Sequence, residues 1–543
     1  MPSRKDFAEL ALLAAVWAVA IAIISPRGDF PILDDWDFAI ATWNFAGTGH
    51  FQFTNFTAVS LRAMVLWGAA WTRLFGQSFE VLRSSTLTLS LATLLVADRT
   101  LVHAGVTRGV RIVTTLALLF HPFFLWASCT YMTDVPFVFA SSLAVYAFVR
   151  ALQEAHFGWL LAGCLAVMTA WFIRQNGVVL LLPPLVLLLW HRERIAPRWR
   201  AFAATIATFL TFFAVLFVFK RDWLAGSPAM FATHYHVWTE ETFRLPEQIT
   251  TLLRYVMFNA QNCALLFLPL TLPLLALLGR MRRRDGILLA FLAAVITWRV
   301  ADLGIAGYLV PYNSAHLYSD ILPGNLFIDF GIGTPMLTDT FSEHLPYPFT
   351  LAYGGRIALT ALSALVTILL LWALLRHERR GLSFQLLALS AAIGTLALFG
   401  SGYYYDRYSL DSAWMVCLAL PLVVPWERRL ARGLAAVALV VMALFSLLAV
   451  QEHFVWQRAR WQAWHDLRAR GVAIQQIDGG AEASGLYELA HASVSQARRG
   501  SPPRPYAITF RPLDGYKVIE RYPFTSFVGM RHGAILVLER SSP

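Results

Sequence analysis

Long apolar segments recur along most of this 543-residue chain, and short polar loops separate them. A helix needs about 20 mostly apolar residues to cross the hydrocarbon core of a bilayer, and most of these segments approach that length. Only 14% of the residues are charged and the mean hydropathy is +0.56, which excludes an ordinary soluble protein. The sequence therefore predicts an α-helical polytopic membrane protein.

We expect about thirteen transmembrane helices. The first is predicted to be a retained signal anchor, because no small-residue cleavage site follows it. The predicted spans cover residues 7–24, 87–102, 112–128, 135–149, 159–173, 178–190, 202–219, 257–278, 287–303, 357–375, 384–399, 410–424 and 434–450.

Arginine-rich loops follow every second span, which the positive-inside rule places in the cytoplasm together with the N-terminus. An odd number of spans then places the C-terminus outside. These loops account for the net charge of +11, so the charge does not indicate nucleic-acid binding. All but three of the basic residues are arginine, as is typical of GC-rich bacterial genomes. We expect a multi-pass protein of the bacterial inner (plasma) membrane.

Four segments on the predicted outer side are too long to be turns. Within the first of them, residues 61–75 form an apolar stretch that is too short and too charged to span comfortably. This stretch predicts an interfacial or re-entrant helix. The four outer segments are residues 25–85, residues 220–254, residues 306–353 and the tail after Gln451.

The tail differs in composition from the rest of the chain. Trp456, Trp461 and Trp464 suggest a helix lying on the membrane surface, and three later segments alternate as strands do. We expect a transmembrane catalytic domain over residues 1–450 and a small extracytoplasmic α/β domain over 451–543. The predicted strands are residues 506–510, 517–522 and 534–539.

Three aspartates follow the first span on the outer side: Asp34, Asp35 and Asp37. Acids in an outer loop are often simply solvated. Apolar residues on both sides of this group, however, would hold it at the membrane interface, where ionisable groups are costly and commonly functional. We interpret the group as a candidate catalytic site.

Another aspartate, Asp134, begins a later span on the same outer side. Thr133 or Asp134 is also suited to cap that helix, with Pro136 in its first turn. The structural role and a catalytic role are compatible, and both stay open.

Several cations lie where the positive-inside rule disfavours them. Arg174 ends a span on the outer side, which suggests that it meets an anion, and the same argument applies with less force to Arg62, Lys220 and Arg407. Snorkelling to lipid phosphates is the alternative for each of them. For Arg407 an ion pair with Asp406 is a further alternative.

Carboxylates beside cations at the lipid boundary match the needs of transfer from a lipid-linked phosphate. A general base must take the proton of the acceptor as it attacks the donor carbon. Cations must stabilise the phosphate that departs. The lipid tail of the donor needs a groove open to the membrane. We therefore expect these acids and cations, which are far apart in the chain, to converge beyond the outer leaflet around a cavity that is reachable from the bilayer.

Four features, taken in their order along the chain, resemble the GT-C membrane glycosyltransferases. The similarity is greatest to the bacterial branch related to protein O-mannosyltransferases and lipid A aminoarabinose transferase, and it is strongest over about the first 200 residues. The features are the acidic pair at 34–35, FGQSFEVLR at 75–83, TDVP at 133–136 and YDRY at 405–408.

This resemblance implies an inverting transfer of a sugar from a polyprenyl-phosphate donor, performed on the extracytoplasmic face. It gives Asp34 the role of base, Asp35 a supporting role, and Asp134 the task of orienting the acceptor or the base. Arg174 and Arg407 are the candidates for the donor phosphate.

Two departures from the family pattern stand out. Asp35 stands where relatives carry a glutamate, and Ser60-Leu61-Arg62 stands where relatives often carry His-Pro. Arg62 is a candidate replacement as a phosphate contact, and Lys220 a further one.

No metal site is predicted. The four cysteines form no spaced pair, so a disulfide framework or a thiolate zinc site is not expected. The clustered acids are suitable ligands for a divalent cation, but no spaced set of ligands requires one. We expect no required cofactor, with a divalent cation as an open alternative.

Other functional classes stay open from the sequence. A transporter or flippase of a lipid-linked saccharide commonly shows internal repeats and charges near the bilayer middle. This chain shows no repeat, and its charges of interest lie at one face. The exceptions are Asp98 with Arg99 and Arg299 with Asp302, which we interpret as structural ion pairs, with a proton path as the alternative for a transporter. A non-catalytic scaffold would use the tail for binding. The sequence determines neither the donor sugar nor the acceptor. Lipid A of lipopolysaccharide, another glycolipid, a polysaccharide and a protein hydroxyl all stay open as acceptors.

Overall fold

The computed structural model of the chain describes most of its residues. They are 4–191, 199–219, 245–305, 309–310, 314–316, 353–376, 381–397, 403–488, 504–510, 512–526 and 531–541. Large parts of the predicted outer segments 220–254 and 306–353 lie outside the described residues.

Helices dominate these ranges, and helical structure lies at each of the thirteen predicted spans. The α-helices are α1 Arg4–Ile24, α2 Asp35–Thr48, α3 Arg62–Phe75, α4 Phe79–His103, α5 Arg108–Leu119, α6 Pro122–Ser128, α7 Asp134–Glu154, α8 Phe157–Trp171, α9 Leu182–Trp190, α10 Trp199–Phe219, α11 Leu245–Leu266, α12 Leu268–Thr271, α13 Arg283–Ile305, α14 Tyr353–Leu375, α15 Leu382–Ala397, α16 Leu410–Ala419, α17 Arg429–Ala469 and α18 Ala481–Tyr487.

Seven helices of the described chain are long and apolar enough to cross a membrane, or up to nine if two bent pairs are each counted as one span. Three shorter apolar helical stretches lie among them: Phe157–Trp171, Gln175–Trp190 and Leu382–Ala397. The predicted class, a polytopic helical membrane protein with a small C-terminal sheet, is confirmed. The number of thirteen spans stays a prediction.

The two bent pairs change direction where proline enters the chain. The pair α5 and α6 bends by 63° before Pro122, and Val256–Leu266 with Leu268–Gly279 bends by 82° around Pro269. Proline lacks the N–H that would continue the helical ladder, so a break at these positions is expected.

At one end of the bundle, ion pairs join the starts of α1 and α5 to the end of α4. Arg111 contacts both Glu9 and Asp98, Arg108 contacts Glu9, and Arg99 contacts Asp98. We call these five residues the inner cluster, since the topology predicts that they lie on the cytoplasmic side. The pair of Asp98 and Arg99 expected from the sequence is confirmed, as is that of Arg299 and Asp302.

The predicted interfacial helix is present as α3, whose 14 residues are too few to span. Tyr131 packs against it: its hydroxyl donates to the carbonyl of Met64 at 3.1 Å and lies 2.9 Å from Thr42 Oγ1. A Cβ at Gly68 of α3 would lie 2.0 Å from that hydroxyl. Glycine is therefore required for α3 to pack this closely on Tyr131.

Helix α17 departs from the sequence prediction. It runs without a break through 41 residues, or about 60 Å at the helical rise, which is about twice the thickness of a bilayer core. Trp456, Trp461 and Trp464 lie on this helix and are buried. The expected helix is present, but its three rings pack against the outer loop and the C-terminal domain, on Phe30, Phe510 and Tyr487, and not on a membrane surface. The predicted boundary at residue 450 falls inside this helix.

The C-terminal domain contains a four-stranded sheet in the order β3-β4-β6-β5. Only the β3 and β4 pair is parallel. All three predicted strands are confirmed, and β3 adds a short fourth strand. The strands of this sheet are β3 Ile477–Asp478, β4 Tyr506–Thr509, β5 Tyr516–Ser526 and β6 Arg531–Arg540, while β1 Ser314–His316 and β2 Tyr403–Tyr405 form a separate pair.

Candidate active site

The aspartate-bearing loop between α1 and α2 is fixed from α4 by Arg83. This side chain is fully buried and donates to the carbonyls of Gly28, at 2.5 Å, and Phe30. Its guanidinium also lies over the Phe30 ring, 4.8 Å from the centroid. The arginine satisfies two backbone carbonyls that the irregular loop cannot pair within itself. It thereby sets the path of the chain just before Asp34.

The C-terminal domain fixes the same loop from the other side. Leu33 has a left-handed backbone, with φ of 52°, and its N–H donates to Glu482 Oε1 at 3.3 Å. Glu482 Oε2 accepts from Arg460 of α17 at 2.8 Å. A Cβ at Gly485 would lie 2.3 Å from Trp36, so α18 packs closely on the start of α2. The strained turn before Asp34 is therefore held by a buried ion pair.

Asp35 points inward. Its carboxyl is fully buried and accepts from the backbone N–H of Ile32 at 2.6 Å and of Tyr131 at 3.4 Å. Burial raises the pKa of this carboxyl to about 8, against the opposing effect of Arg83. Asp35 ties the first outer loop to the turn that precedes Asp134, which suits a positioning role better than contact with reactants.

Asp37 is also buried within the outer structure. It accepts hydrogen bonds from the hydroxyls of Thr54, at 2.5 Å, and Thr57, at 2.8 Å. Burial raises its pKa to about 7 although both hydroxyls oppose the shift. These bonds secure the loop that follows α2.

Asp34 is the exposed member of the group. Its side chain is 61% exposed, and Oδ2 pairs with Arg407 Nη2 at 3.2 Å. Oδ1 makes no hydrogen bond with any residue that the structure describes. The guanidinium of Arg407 therefore pairs with Asp34, while Asp406 Oδ1 accepts from the backbone N–H of Arg407 at 2.7 Å. The charge of Arg407 also acts on Asp406, whose pKa it lowers, so the local ion pair stays an alternative for this arginine.

Asp134 pairs with Arg174. The carboxyl is buried and lies 2.9 Å from Arg174 Nη2, while Arg174 Nε donates to Thr133 Oγ1 at 2.8 Å. Thr133 stands at the N-cap position of α7 but makes no capping hydrogen bond with its side chain. Its hydroxyl serves Arg174 instead, so the helix start is built around this cation.

Tyr408 joins the two ion pairs. Arg174 and Arg407 each place the guanidinium carbon 5.7 Å from the centroid of its ring. Asp34 and Asp134, a hundred residues apart in the chain, are thereby brought to one place through two cations and one aromatic ring. The convergence expected from membrane sidedness is present, whereas a groove open to the bilayer beside it stays a prediction.

Sequence reasoning missed Asp411 and gave no role to Tyr408 of the YDRY motif. Asp411, in the first turn of α16, lies 3.8 Å from Arg174 Nη1, and Tyr408 contacts both cations. The available signal was an acid four residues after Arg407, at the outer end of an apolar stretch. We call Asp34, Asp134, Arg174, Asp406, Arg407 and Asp411 the outer cluster.

The outer cluster holds four carboxyl groups against two guanidinium groups. Burial and, to a smaller extent, the charge of Asp134 raise the pKa of Asp406 to about 8, against the opposing effect of Arg407. An excess of closely spaced acids with shifted pKa values is typical of sites that move protons.

Two predicted site residues are not in the outer cluster. Arg62 donates to the carbonyl of Ser60 at 3.2 Å and lies over the rings of Phe51 and Phe53. Lys220 lies outside the described residues. The donor-phosphate role of both stays a prediction.

Metal and disulfide chemistry find no support in the described part of the chain. No three His, Cys, Asp or Glu side chains there are placed as ligands of one metal ion, and the four cysteines are buried and unpaired. The absence of a metal requirement stays a prediction.

Two solved structures are similar to the chain along nearly its full length. They are ArnT from Cupriavidus metallidurans in the apo state and ArnT from Cupriavidus metallidurans bound to undecaprenyl phosphate. Each is 14% identical, covers 98% of both chains and has a TM-score of 0.40. No protein-family model and no curated protein matches the chain.

Proposed function

We propose that the chain is an inverting glycosyltransferase that moves a sugar from a polyprenyl-phosphate donor to an acceptor on the extracytoplasmic face of the membrane. The observation that carries the proposal is the outer cluster: an exposed carboxylate held by an arginine, beside a second arginine and a buried carboxylate. Base and cations are the two components that this reaction needs at one place.

Asp34 is the proposed general base. Of the two outer aspartates in the 34–35 pair, only Asp34 is open to an incoming acceptor, and its Oδ1 is unengaged among the described residues. Arg407 fixes the other oxygen and so orients the carboxylate. The acceptor hydroxyl or amine donates its proton to Oδ1 as its oxygen or nitrogen attacks the anomeric carbon, and the bond from that carbon to the phosphate oxygen breaks.

Arg174 and Arg407 are the proposed contacts of the departing phosphate. A guanidinium offers several N–H donors in a planar fork that suits phosphate oxygens. Asp134 and Asp411 hold Arg174 in place before the donor binds. Asp134 acts on the reaction through Arg174 in this proposal and does not touch the reactants.

The test is transfer from a radiolabelled polyprenyl-phosphate sugar by the purified protein in proteoliposomes, followed as release of polyprenyl phosphate. We expect turnover by the wild type and at least a hundredfold loss in Asp34→Asn, because general bases contribute about 10²–10⁴ in rate. Asp514→Asn, at an exposed aspartate of the C-terminal domain, is the matched control and keeps the wild-type rate.

Two results contradict the proposal. One is a wild-type protein that releases no polyprenyl phosphate with any donor sugar tried. The other is equal turnover by Asp34→Asn. Flux of a lipid-linked saccharide across the same proteoliposomes, unchanged in Asp34→Asn, would support the transport alternative instead.

A further inference from the structure

A cavity of about 290 Å³ lies where the first outer loop meets the C-terminal domain. It is separate from the outer cluster, none of whose residues lines it. Loop 25–34, α2, the start of α4, α17 and α18 all contribute to its wall. Its volume is near the lower end of the range for small-molecule sites, which suits one or two small rings.

Aromatic rings form much of the wall. Trp43, Phe79, Trp461 and Tyr487 line the cavity, and neighbouring rings hold them in place. Trp43 packs edge-on against Phe79 with centroids 5.0 Å apart, and Tyr487 stacks on Trp464 at 4.8 Å. The side chains are therefore fixed before any ligand binds. Rigid aromatic faces suit the apolar C–H face of a sugar ring.

Polar groups without partners complete the wall. The Gln77 and His465 side chains are exposed in the wall, and neither makes a hydrogen bond with a described residue. The indole N–H groups of Trp43 and Trp461 are also unpaired there, but they are buried and not accessible from the cavity. Sugar hydroxyls both donate and accept, so they would pair with the Gln77 amide and the His465 ring.

The charged groups in the cavity wall restrict the class of ligand that would bind there. Asp29 also lines the cavity, and its Oδ1 accepts from the Phe79 N–H at 2.7 Å. The cavity wall contains no lysine or arginine. A phosphate or other anion would meet a carboxylate and no cation, whereas a neutral or amino sugar meets no such penalty.

The cavity is close to the proposed base. Pro31 lines it and precedes Asp34 by three residues, so the two Cα atoms are at most about 11 Å apart. We propose that this cavity binds a neutral or amino saccharide unit of the acceptor while the reacting group reaches Asp34. The acceptor role rests on the proposed transferase function, but the binding of a saccharide does not.

The test uses the full-length protein in nanodiscs with the methyl glycosides of glucose, galactose and glucosamine as probes. Saturation-transfer NMR is expected to show binding of at least one of them. Gln77→Trp, which fills the cavity, should abolish the signal. His465→Ala should weaken affinity roughly tenfold, the effect of losing one or two hydrogen bonds.

Matched controls change the same residue types elsewhere. Gln52→Ala alters an exposed glutamine of the same outer loop, and His156→Ala alters an exposed histidine between α7 and α8. Both should bind the probes as the wild type does. No saturation transfer to any probe, or an undiminished signal in Gln77→Trp, overturns the saccharide site.

Release of polyprenyl phosphate from the lipid donor by the wild type, measured in the same preparations, separates this inference from the proposed function. Donor cleavage without cavity-dependent binding would refute the saccharide site alone. Cavity-dependent binding without donor cleavage would refute the transferase and leave the saccharide site standing.

Discussion

The inner and outer clusters are built from the same residue types but differ in balance. In the inner cluster three guanidinium groups surround two carboxyl groups, so Glu9 and Asp98 each contact two arginines. In the outer cluster two guanidinium groups face four carboxyl groups, and Asp34 is largely exposed. In the inner cluster each carboxyl group is therefore paired with arginines, and the pairs join three helices. In the outer cluster the carboxyl groups outnumber the guanidinium groups, as the proposed acid–base chemistry requires.

The two clusters also differ in the backbone that carries them. Inner residues lie near the ends of long helices, whereas outer residues lie on a strained turn, at helix starts and in a 3₁₀ segment. Irregular backbone at a functional site is tolerated where surrounding contacts hold it. Arg83 and Glu482 supply those contacts here. Under the proposed function, ion pairs therefore serve stability in the inner cluster and preorganisation in the outer cluster.

The largest expected effect comes from replacing one aspartate by asparagine in each cluster. The outer variant should lose activity, and the inner variant should lose stability. Asp34→Asn should lower the turnover number by at least a hundredfold with little change in Tm, because the side chain is exposed. Asp98→Asn should lower Tm and keep the rate per folded molecule, because two arginines lose a buried partner. Turnover and thermal unfolding measured in one detergent check both variants. Similar losses of rate in the two would remove the distinction.

Arg407→Lys should have the next largest effect. Lysine keeps the charge but not the planar fork, so we expect a rate loss of about tenfold to a hundredfold from a poorly oriented Asp34 and phosphate. Steady-state kinetics of this variant, Asp34→Asn and the double variant form a cycle. The effects should be clearly less than additive if Arg407 acts partly through Asp34. Additive effects would mean that the pair seen at 3.2 Å does not matter in the reaction.

Glu482→Gln tests whether the C-terminal domain positions the aspartate turn. Glutamine has one acceptor oxygen in place of two, so either the Leu33 N–H or the Arg460 guanidinium loses its bond to residue 482. We expect a several-fold fall in turnover number with the KM for the lipid donor unchanged.

Glu488→Gln is the control for that experiment. Glu488 pairs with Arg504 of the same domain through both carboxylate oxygens. Among the described residues it makes no hydrogen bond or ion pair with the aspartate turn. Glu488→Gln should lower the stability of the protein by a similar amount and leave the turnover number unchanged. Equal kinetic losses in both variants would point to general destabilisation of the domain.

Asp35 should make stability depend on pH. Its folded pKa of about 8 exceeds the ordinary 3.8, so between these values the folded protein binds more protons than the unfolded chain. Stability from this group is therefore present at low pH and is lost as pH rises towards 8. Asparagine cannot titrate, so the difference in Tm between wild type and Asp35→Asn should shrink by a few degrees from about pH 6 to about pH 8.5. A difference independent of pH would contradict the raised pKa.

Much of this architecture follows from local patterns, and the site follows only in part. Apolar length predicts helices at every span, and alternation predicts the strands of the C-terminal domain, because both are local in sequence. Membrane sidedness predicts that Asp34, Asp134, Arg174 and Arg407 converge. Sequence alone does not predict the partner of each: Arg407 meets Asp34 across 373 residues, and Glu482 meets Leu33 across 449. Such pairs depend on the packing of distant elements, which no local period encodes.

Arg62→Ala should have the smallest effect. Arg62 lies over two phenylalanine rings and donates to the carbonyl of Ser60. Its loss should change the KM for the lipid donor by no more than about threefold, as expected for the loss of partly exposed cation–π contacts. Arg73→Ala on the same helix, whose guanidinium also lies over a ring, is its control. A much larger rise in KM for Arg62→Ala alone would show that this arginine moves to the donor phosphate on binding. The cationic part of the site would then extend onto α3. Arg62 would add a third guanidinium group to the outer cluster when the donor is bound.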